Sequence, residues 1–410
     1  MQIKVTPPAT HDVCTRIQLP SSKSICNRVL IIHALAHGKQ PVKNISTCDD
    51  THVIVRALED MPAAIDIMAA GTAMRFLTAY LSVGKGTHVL TGTQRMKQRP
   101  ISILVDALRS LGADVEYVEN EGFPPLRITG RELDGNAVSL PGNVSSQYIS
   151  ALLMIGPVLK NGLRLTLTGD VVSRPYIDLT LKLMKDFGAE AAWNGENRLE
   201  VKSVPYRSHA YYVESDWSAA SYWYEICALS DRAEITLPGL FADSMQGDCE
   251  VACLFAQLGV ETEYADQEVT LRKKGNLPER MDYDFVNQPD LAQTFVVTCA
   301  LLGIPFRFTG LQSLKIKETD RIAALITEMK KLGYVITESE QSVLSWNGER
   351  CSAEERPAID TYEDHRMAMA FAPACLKVKE LRINHPQVVT KSYPNYWEHL
   401  AAAGFQITNE

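Results

Sequence analysis

The chain has 410 residues, 46% of them apolar and 22% charged, and a formal net charge of −8 at pH 7. This length exceeds one ordinary core and predicts two domains of roughly 200 residues each. The balance excludes a disordered chain, the longest apolar run (295 to 306, broken by Gly303 and Pro305) excludes a membrane span, and the acidic charge argues against a nucleic-acid partner held by broad phosphate contacts.

The first residues, "MQIKVTPPATHDVC", lack the apolar h-region of a signal peptide. Nine cysteines occur singly, odd in number and without a CxxC pair, which suits the reducing cytoplasm and small buried side chains. After a strand-like run comes "LPSSKSICNR", then a helix after Ser24 with Ile25, Val29, Ile32 and Ala36 on its buried stripe and Gly38 as its stop.

Four later segments share one plan of polar start, apolar-periodic helix, glycine and strand: "RPISILVDALRSLGADVEYV", "RPYIDLTLKLMKDFGAEAAW", "DSMQGDCEVACLFAQLGVETEY" and "KETDRIAALITEMKKLGYVITE". Their closing glycines, Gly112, Gly188, Gly259 and Gly333, stand where a helix C-cap is wanted. "KSICNRVLIIHALAHG" and "DHRMAMAFAPACL" fit the scheme less completely, and "RLTLTG" and "AEITLPG" read as extra strands ended by glycine. The pattern predicts an α/β protein of roughly six βα units, three to a domain. In the helix after Thr319, Ile322, Leu325, Ile326, Met329 and Leu332 form the buried stripe, which leaves Glu328, Lys330 and Lys331 outside.

The chemically capable residues collect at helix starts: "SSKSICNR", "AAGTAMR", "RMKQRP", "NVSSQY", "VSRPY", "IKETDR", "EDHR" and "TKSYP". Free backbone N–H groups and the positive end of the helix dipole favour anions, hydroxyls add donors, Arg offers a planar fork and Lys a movable charge. Singly, each start also reads as an ordinary capped, solvated helix; the recurrence in every unit is what points to anions. Among the acidic residues, Asp290 after Pro289 reads as an N-cap or a functional carboxylate, and Glu318 between Lys317 and Arg321 as a structural ion pair or a functional carboxylate. His33 with His37 and Cys249 with Cys253 have helical spacing but no further ligands near them, so no metal is expected. GxGxxG, GxxxxGK[ST] and HExxH are not found.

With these motifs the sequence resembles the 5-enolpyruvylshikimate-3-phosphate synthases of the enolpyruvyl transferase family. The matching stretches, in family order, are "LPSSKSICNR", "AAGTAMRFL", "RMKQRPI", "GNVSSQYISALL", "SRPYIDLTL", "ESDWSAASYW", "DSMQGD", "NQPDLAQT", "KIKETDR", "YEDHRMAMAF" and "TKSYPNYWEHL". The resemblance implies a two-domain inside-out α/β barrel, each domain made of three βαβαββ units. Residues 1–19 would join 215–410 and 20–214 would form the other domain, with the active site in the cleft. It further implies transfer of the enolpyruvyl group of phosphoenolpyruvate to the 5-hydroxyl of shikimate 3-phosphate, by addition and elimination through a tetrahedral intermediate, on the shikimate pathway to chorismate and the aromatic amino acids. A cytoplasmic monomer without cofactor is expected.

Carried over residue by residue, Lys23, Ser24, Arg28, Ser145, Ser146, Gln147, Ser173, Tyr176, Asp290 and Lys317 would bind shikimate 3-phosphate. Ser24 and Arg28 fall to its carboxylate, and Ser145, Ser146 and Ser173 to its phosphate. Lys23, Gly71, Arg99, Gln147, Arg321, Arg366 and Lys391 would hold phosphoenolpyruvate. Asp290 is the implied base on the 5-hydroxyl, Glu318 the group that protonates the methylene carbon and takes that proton back, and Lys23 the aid to the departing oxygen. Asn27 and Cys26 receive no role. The sequence departs from the family's frequent pattern at Ala69, where an amide is usual, at Phe76, where proline is frequent, and at Ser313, where some members carry asparagine. The sister transferase that uses UDP-N-acetylglucosamine carries a cysteine in the loop that reads "TGTQRMKQRP" here, and a catalytically inactive phosphometabolite-binding homologue would not need Asp290, Glu318 and Lys23 together.

Overall fold

The structure is a computed structural model that describes residues 1–378 and 380–410. The chain divides into a continuous unit, Ser21–Val213, and a discontinuous one, Met1–Pro20 with Glu214–Glu410.

Ser21–Val213 contains helices α1 (Lys23–Leu35), α2 (Asp49–Asp60), α3 (Gly71–Val83), α4 (Ser102–Ser110), α5 (Ser146–Ile155) and α6 (Arg174–Asp186). Strands Ala64–Asp66, Thr87–Thr91, Leu126–Thr129 and Asp114–Tyr117 form one four-stranded sheet in that order, and Ala191–Trp193, Arg198–Val201, Leu163–Thr168 and Ala137–Pro141 a second. In each sheet one parallel pair is bridged by a helix, α3 or α5, and the remaining pairs are antiparallel. A parallel connection needs such a crossover, whereas the antiparallel strands close as a hairpin.

The discontinuous unit repeats the scheme with α7 (Trp217–Leu229), α8 (Val251–Ala256), α9 (Ala292–Leu302), α10 (Arg321–Lys331), α11 (His365–Phe371) and α12 (Tyr396–Ala402). Its three four-stranded sheets are built on the parallel pairs Asp12–Arg16 with Arg232–Pro238, Met281–Asp284 with Phe306–Thr309, and Ala358–Ile359 with Leu381–Asn384. Strand Gln2–Thr6 lies between Leu381–Asn384 and Gln406–Asn409.

Each unit encloses helices within its sheets. Helices α5, α7 and α9 are apolar on all sides and buried along nearly their whole length, as only an interior helix is. The sheet strands instead alternate, as in Leu163–Thr168 with its buried residues at every second position, because one face meets the core and the other water. The inside-out α/β class implied by the sequence is therefore the observed one.

Among the described residues there are five four-stranded sheets, and the sixth is only a two-stranded parallel pair, Val42–Lys43 with Tyr211–Tyr212. Pro41 precedes that rung, and Asn44, left-handed at φ 58, ends it after two residues. The closing glycines behave as the repeat requires: Gly112, Gly188, Gly259 and Gly333 take φ of 102, 83, 79 and 87.

Three local expectations change. Helix α1 begins at Lys23, capped by the Ser22 hydroxyl, and ends with His37 in the left-handed position; Gly38 instead lies against the His33 ring, which a Cβ there would displace. The helix after "DSMQGD" starts only at Val251, following a 3-10 turn over Gly247–Glu250. Glu328, expected outside, is fully buried.

Gly112 has no atom within 4 Å of an added Cβ, so Gly112→Ala isolates the backbone cost of the left-handed cap. It is expected to lower stability by about 1–2 kcal/mol in urea denaturation; an unchanged midpoint would show that the cap carries no strain.

Candidate active site

In Ser21–Val213 the predicted residues are fixed by helix packing. Lys23, the first residue of α1, donates from Nζ to Asp50 Oδ2 at 3.1 Å, and Asp50 lies buried in the first turn of α2. That turn is anchored to α1 through the two residues without an assigned role: Thr51 Oγ1 donates to Asn27 Oδ1 at 2.8 Å, and the Ser46 N–H to Cys26 Sγ at 3.1 Å. Arg28 is buried, with Nε donating to Thr180 Oγ1 at 2.7 Å, Nη2 to Ser150 Oγ at 3.1 Å and Nη1 to the Ser24 carbonyl at 3.0 Å. Burial lowers its pKa to about 10, which still leaves it charged at neutral pH. One guanidinium thus braces α1, α5 and α6.

The serine-bearing loops adjoin one another, since the Val172 N–H donates to the Gly142 carbonyl at 3.1 Å. Ser145 caps α5 by accepting the Gln147 N–H, and Ser173, left-handed at φ 54, leads into α6 and Tyr176. Gln147 Nε2 donates to Thr72 Oγ1 at 2.9 Å, which ties the start of α5 to the start of α3. Gly71 opens α3, and a Cβ there would stand 2.6 Å from Arg99 Nη1 and 2.7 Å from Arg75 Nη1, so both guanidinium groups lie close against the glycine and a side chain would displace them. Arg75 is buried, donates to the Gly71 carbonyl at 2.8 Å and lies over the Tyr148 ring.

In the discontinuous unit the predicted residues form one charge network around Arg321, the first residue of α10. Its Nε donates to Asp364 Oδ2 at 2.7 Å, Nη1 to Asp290 Oδ1 at 3.0 Å and Nη2 to Glu318 Oε2 at 3.1 Å. Arg366 Nη2 donates to Asp290 Oδ2 at 2.8 Å, and its Nη1 to the Asp290 carbonyl at 3.3 Å and the Tyr222 hydroxyl at 3.4 Å. Lys317 Nζ stands 3.6 Å from Asp290 Oδ1, and Lys391 Nζ 3.0 Å from Glu318 Oε1. Lys317, Glu318, Arg321, Arg366, Lys391 and Asp290 are thereby brought together.

Asp290 is no N-cap. It sits in a 3-10 turn, Pro289–Leu291, and α9 starts without a side-chain cap. Burial opposes its charge, but Arg366, Lys317 and Arg321 outweigh that and hold it well below the usual carboxylate range. Glu318 is ion-paired, as one of its two readings held. Burial works against the Arg321 charge as well, and Asp364, Glu318 and Asp290 overcome it and raise its pKa. Asp248 behaves oppositely. Burial, then the neighbouring Asp290, pushes it up to about 7, while Arg366 and the hydroxyl of Ser218, which donates to Oδ2, restrain the shift.

Sequence reasoning missed Asp50, Thr72, Arg75, Asp248 and Asp364. The partner of Lys23 lies 27 positions away, and nothing in a linear pattern links the two. Asp364 was within reach, because "EDHR" puts a carboxylate two residues before Arg366, where it accepts that residue's N–H at 2.9 Å as the cap of α11. Among the described residues, no cluster of three His, Cys, Asp or Glu side chains could hold a metal, and all nine cysteines are free.

Residues 8–68 and 59–400 match the family model described as EPSP synthase (3-phosphoshikimate 1-carboxyvinyltransferase). A 3-phosphoshikimate 1-carboxyvinyltransferase of Bacteroides fragilis is 64% identical over 399 residues, 97% of each chain, and one of Vibrio campbellii is 35% identical over 414 residues, covering 94% of this chain and 96% of its own. A solved EPSP synthase structure from Acinetobacter baumannii superposes with a TM-score of 0.80 over 100% of both chains at 22% identity, a likeness of fold.

Because Asp248 binds its proton more tightly folded than unfolded, where its pKa is about 3.9, its contribution to stability is full below about pH 4 and gone once pH passes about 7. Asp248→Asn keeps an acceptor for Ser218 and is expected to remove that decline. Denaturation midpoints measured across the window check it, and a parallel decline in the variant would contradict it.

Proposed function

Because the chain belongs to the EPSP synthase family, we infer that it transfers the enolpyruvyl group of phosphoenolpyruvate to the 5-hydroxyl of shikimate 3-phosphate, releasing phosphate, a step of the shikimate pathway to the aromatic amino acids. The observation that carries this reading at the level of residues is the Arg321 network, in which Asp290 and Glu318 share guanidinium and ammonium groups of the kind that bind phosphate and carboxylate.

In this reading Ser24 and Arg28 take the shikimate carboxylate, and Ser145, Ser146 and Ser173 its phosphate, with Gln147, Tyr176, Lys23 and Lys317 beside them. Phosphoenolpyruvate falls to Lys23, Gly71, Arg99, Gln147, Arg321, Arg366 and Lys391. Asp290 accepts the proton of the 5-hydroxyl as that oxygen bonds to C2 of phosphoenolpyruvate, and Glu318 gives a proton to the methylene carbon, which becomes methyl. In the second half Glu318 takes a methyl proton back, the double bond re-forms, and the C–O bond to phosphate breaks with Lys23 assisting the departing oxygen. No cofactor enters these steps.

The depressed pKa of Asp290 bears on this role. A carboxylate held by Arg321 and Arg366 is a weak base, and phosphoenolpyruvate brings its own anions to the same two groups. Each N–H redirected to the substrate strengthens Asp290 as a base, which couples proton removal to the presence of the second reactant. The cysteine-free "TGTQRMKQRP" loop speaks against the UDP-N-acetylglucosamine reaction, and the joint presence of Asp290, Glu318 and Lys23 against an inactive binding homologue. The nine free cysteines support a cytoplasmic location.

The protein is expected to release phosphate only when both substrates are supplied, and binding of both without release would instead favour a sensor. Asp290→Asn is expected to retain shikimate 3-phosphate binding, read by calorimetry, and to cut turnover by roughly 10²-fold or more; unchanged turnover would remove Asp290 as the base.

A further inference from the structure

Glu328 lies two turns beyond Arg321 on α10 and is fully buried, a costly place for a carboxylate unless it is paired. Its Oε1 accepts the Tyr362 hydroxyl at 2.6 Å, and its Oε2 accepts the Asp360 N–H at 3.1 Å and Lys331 Nζ at 2.8 Å. The bonds to Asp360 and Tyr362 end on a segment with an unusual backbone. Tyr362 and Glu363 are consecutive non-glycine residues in the left-handed region, at φ 52 and 57, a conformation that persists only where surroundings hold it. Directly after them come Asp364, which accepts Arg321 Nε and the Arg366 N–H, and Arg366 itself. Helix α10 therefore grips residues 360–364 at both ends, through Glu328 at Asp360 and Tyr362 and through Arg321 at Asp364.

We propose that Glu328 and Tyr362 form a latch that positions Arg366, and Asp364 with it, for the anionic end of phosphoenolpyruvate. Both are positioning residues, and the latch rests on the assignment of Arg366 to phosphoenolpyruvate made above. The geometry supports more than a general structural role. The Tyr362 residue is 38% exposed, so its ring adds little to the core and its hydroxyl is the part committed to Glu328. Without that bond the left-handed pair is free to relax, and Arg366 moves with it while the residues of Ser21–Val213 stay as they are. Most residues assigned to shikimate 3-phosphate, Asp290 and Lys317 excepted, belong to Ser21–Val213, so the effect is expected to fall mainly on phosphoenolpyruvate.

The test measures KM for each substrate separately, kcat and the thermal midpoint in the full chain carrying Tyr362→Phe, Glu328→Gln or Arg366→Lys. Tyr362→Phe is expected to raise KM for phosphoenolpyruvate roughly tenfold, with KM for shikimate 3-phosphate changed less than about twofold. Glu328→Gln, which turns an acceptor toward the Asp360 N–H into a donor or leaves the Tyr362 hydroxyl without its charge, is expected to act in the same direction and more strongly. Should Glu328→Gln fail to fold, Tyr362→Phe alone decides. If Arg366→Lys raises KM for phosphoenolpyruvate while Tyr362→Phe does not, or if Tyr362→Phe raises both KM values together, the latch is wrong and the assignment of Arg366 stands. If Arg366→Lys leaves KM for phosphoenolpyruvate unchanged, that assignment fails and the latch falls with it.

Discussion

A buried guanidinium has to be met by acceptors on several sides at once, and Arg321 imposes that demand on three separate stretches of chain. Asp290 arrives from a 3-10 turn that Pro289 helps to set, Glu318 from the loop just before α10, and Asp364 from the segment beyond two left-handed residues. None of these backbones is a regular helix or strand where it delivers its carboxylate. The irregularity follows from the charge, because side chains of fixed length reach one point only if the chain bends to bring them there. The neighbouring sheets and the interior helices α7 and α9 supply the rigidity against which those bends are held.

The two units meet the same chemical demand with different means. In Ser21–Val213 the guanidinium groups of Arg28 and Arg75 bond hydroxyl and carbonyl oxygens, Ser145 and Gln147 add neutral groups, and Asp50 is the carboxylate held by Lys23. A guanidinium with neutral partners accepts an anion without first giving up a charged one. In the discontinuous unit the cations are already engaged by Asp290, Glu318 and Asp364, so any anion exchanges places with a carboxylate. Under the function proposed above, the first arrangement suits firm holding of a substrate, and the second suits a response of Asp290 and Glu318 to what is bound.

Much of this was legible in the sequence where the physics is local. Glycine after a helix, the apolar stripe of α10 and the basic helix starts depend on neighbours within a few residues, and Gly112, Gly188, Gly259 and Gly333 took the backbone conformation their places require. What was illegible depends on tertiary context. Periodicity put Glu328 outside because the pattern ranks a carboxylate as polar, and it cannot see the Tyr362 hydroxyl and Asp360 N–H that make burial tolerable. Gly38 looked like a helix stop for the same reason, since only the structure shows the His33 ring lying against it. The role of Arg28 was drawn from resemblance, and its brace across three helices emerged only with Thr180 and Ser150 in place.

The strand Gln2–Thr6 sits between Leu381–Asn384 and Gln406–Asn409, so an early strand forms the middle of a sheet whose flanks come far later in the sequence. On the ribosome this strand waits with two open edges until Leu381–Asn384 and Gln406–Asn409 have been made, whereas Ser21–Val213 draws every one of its strands from its own stretch of chain. The inserted unit is therefore free to close before the unit that bears Asp290 and Glu318 has its full set of strands. Until then Gln2–Thr6 is an exposed template for wrong pairing, and the alternating Ile3 and Val5 that later fill the core are its liability.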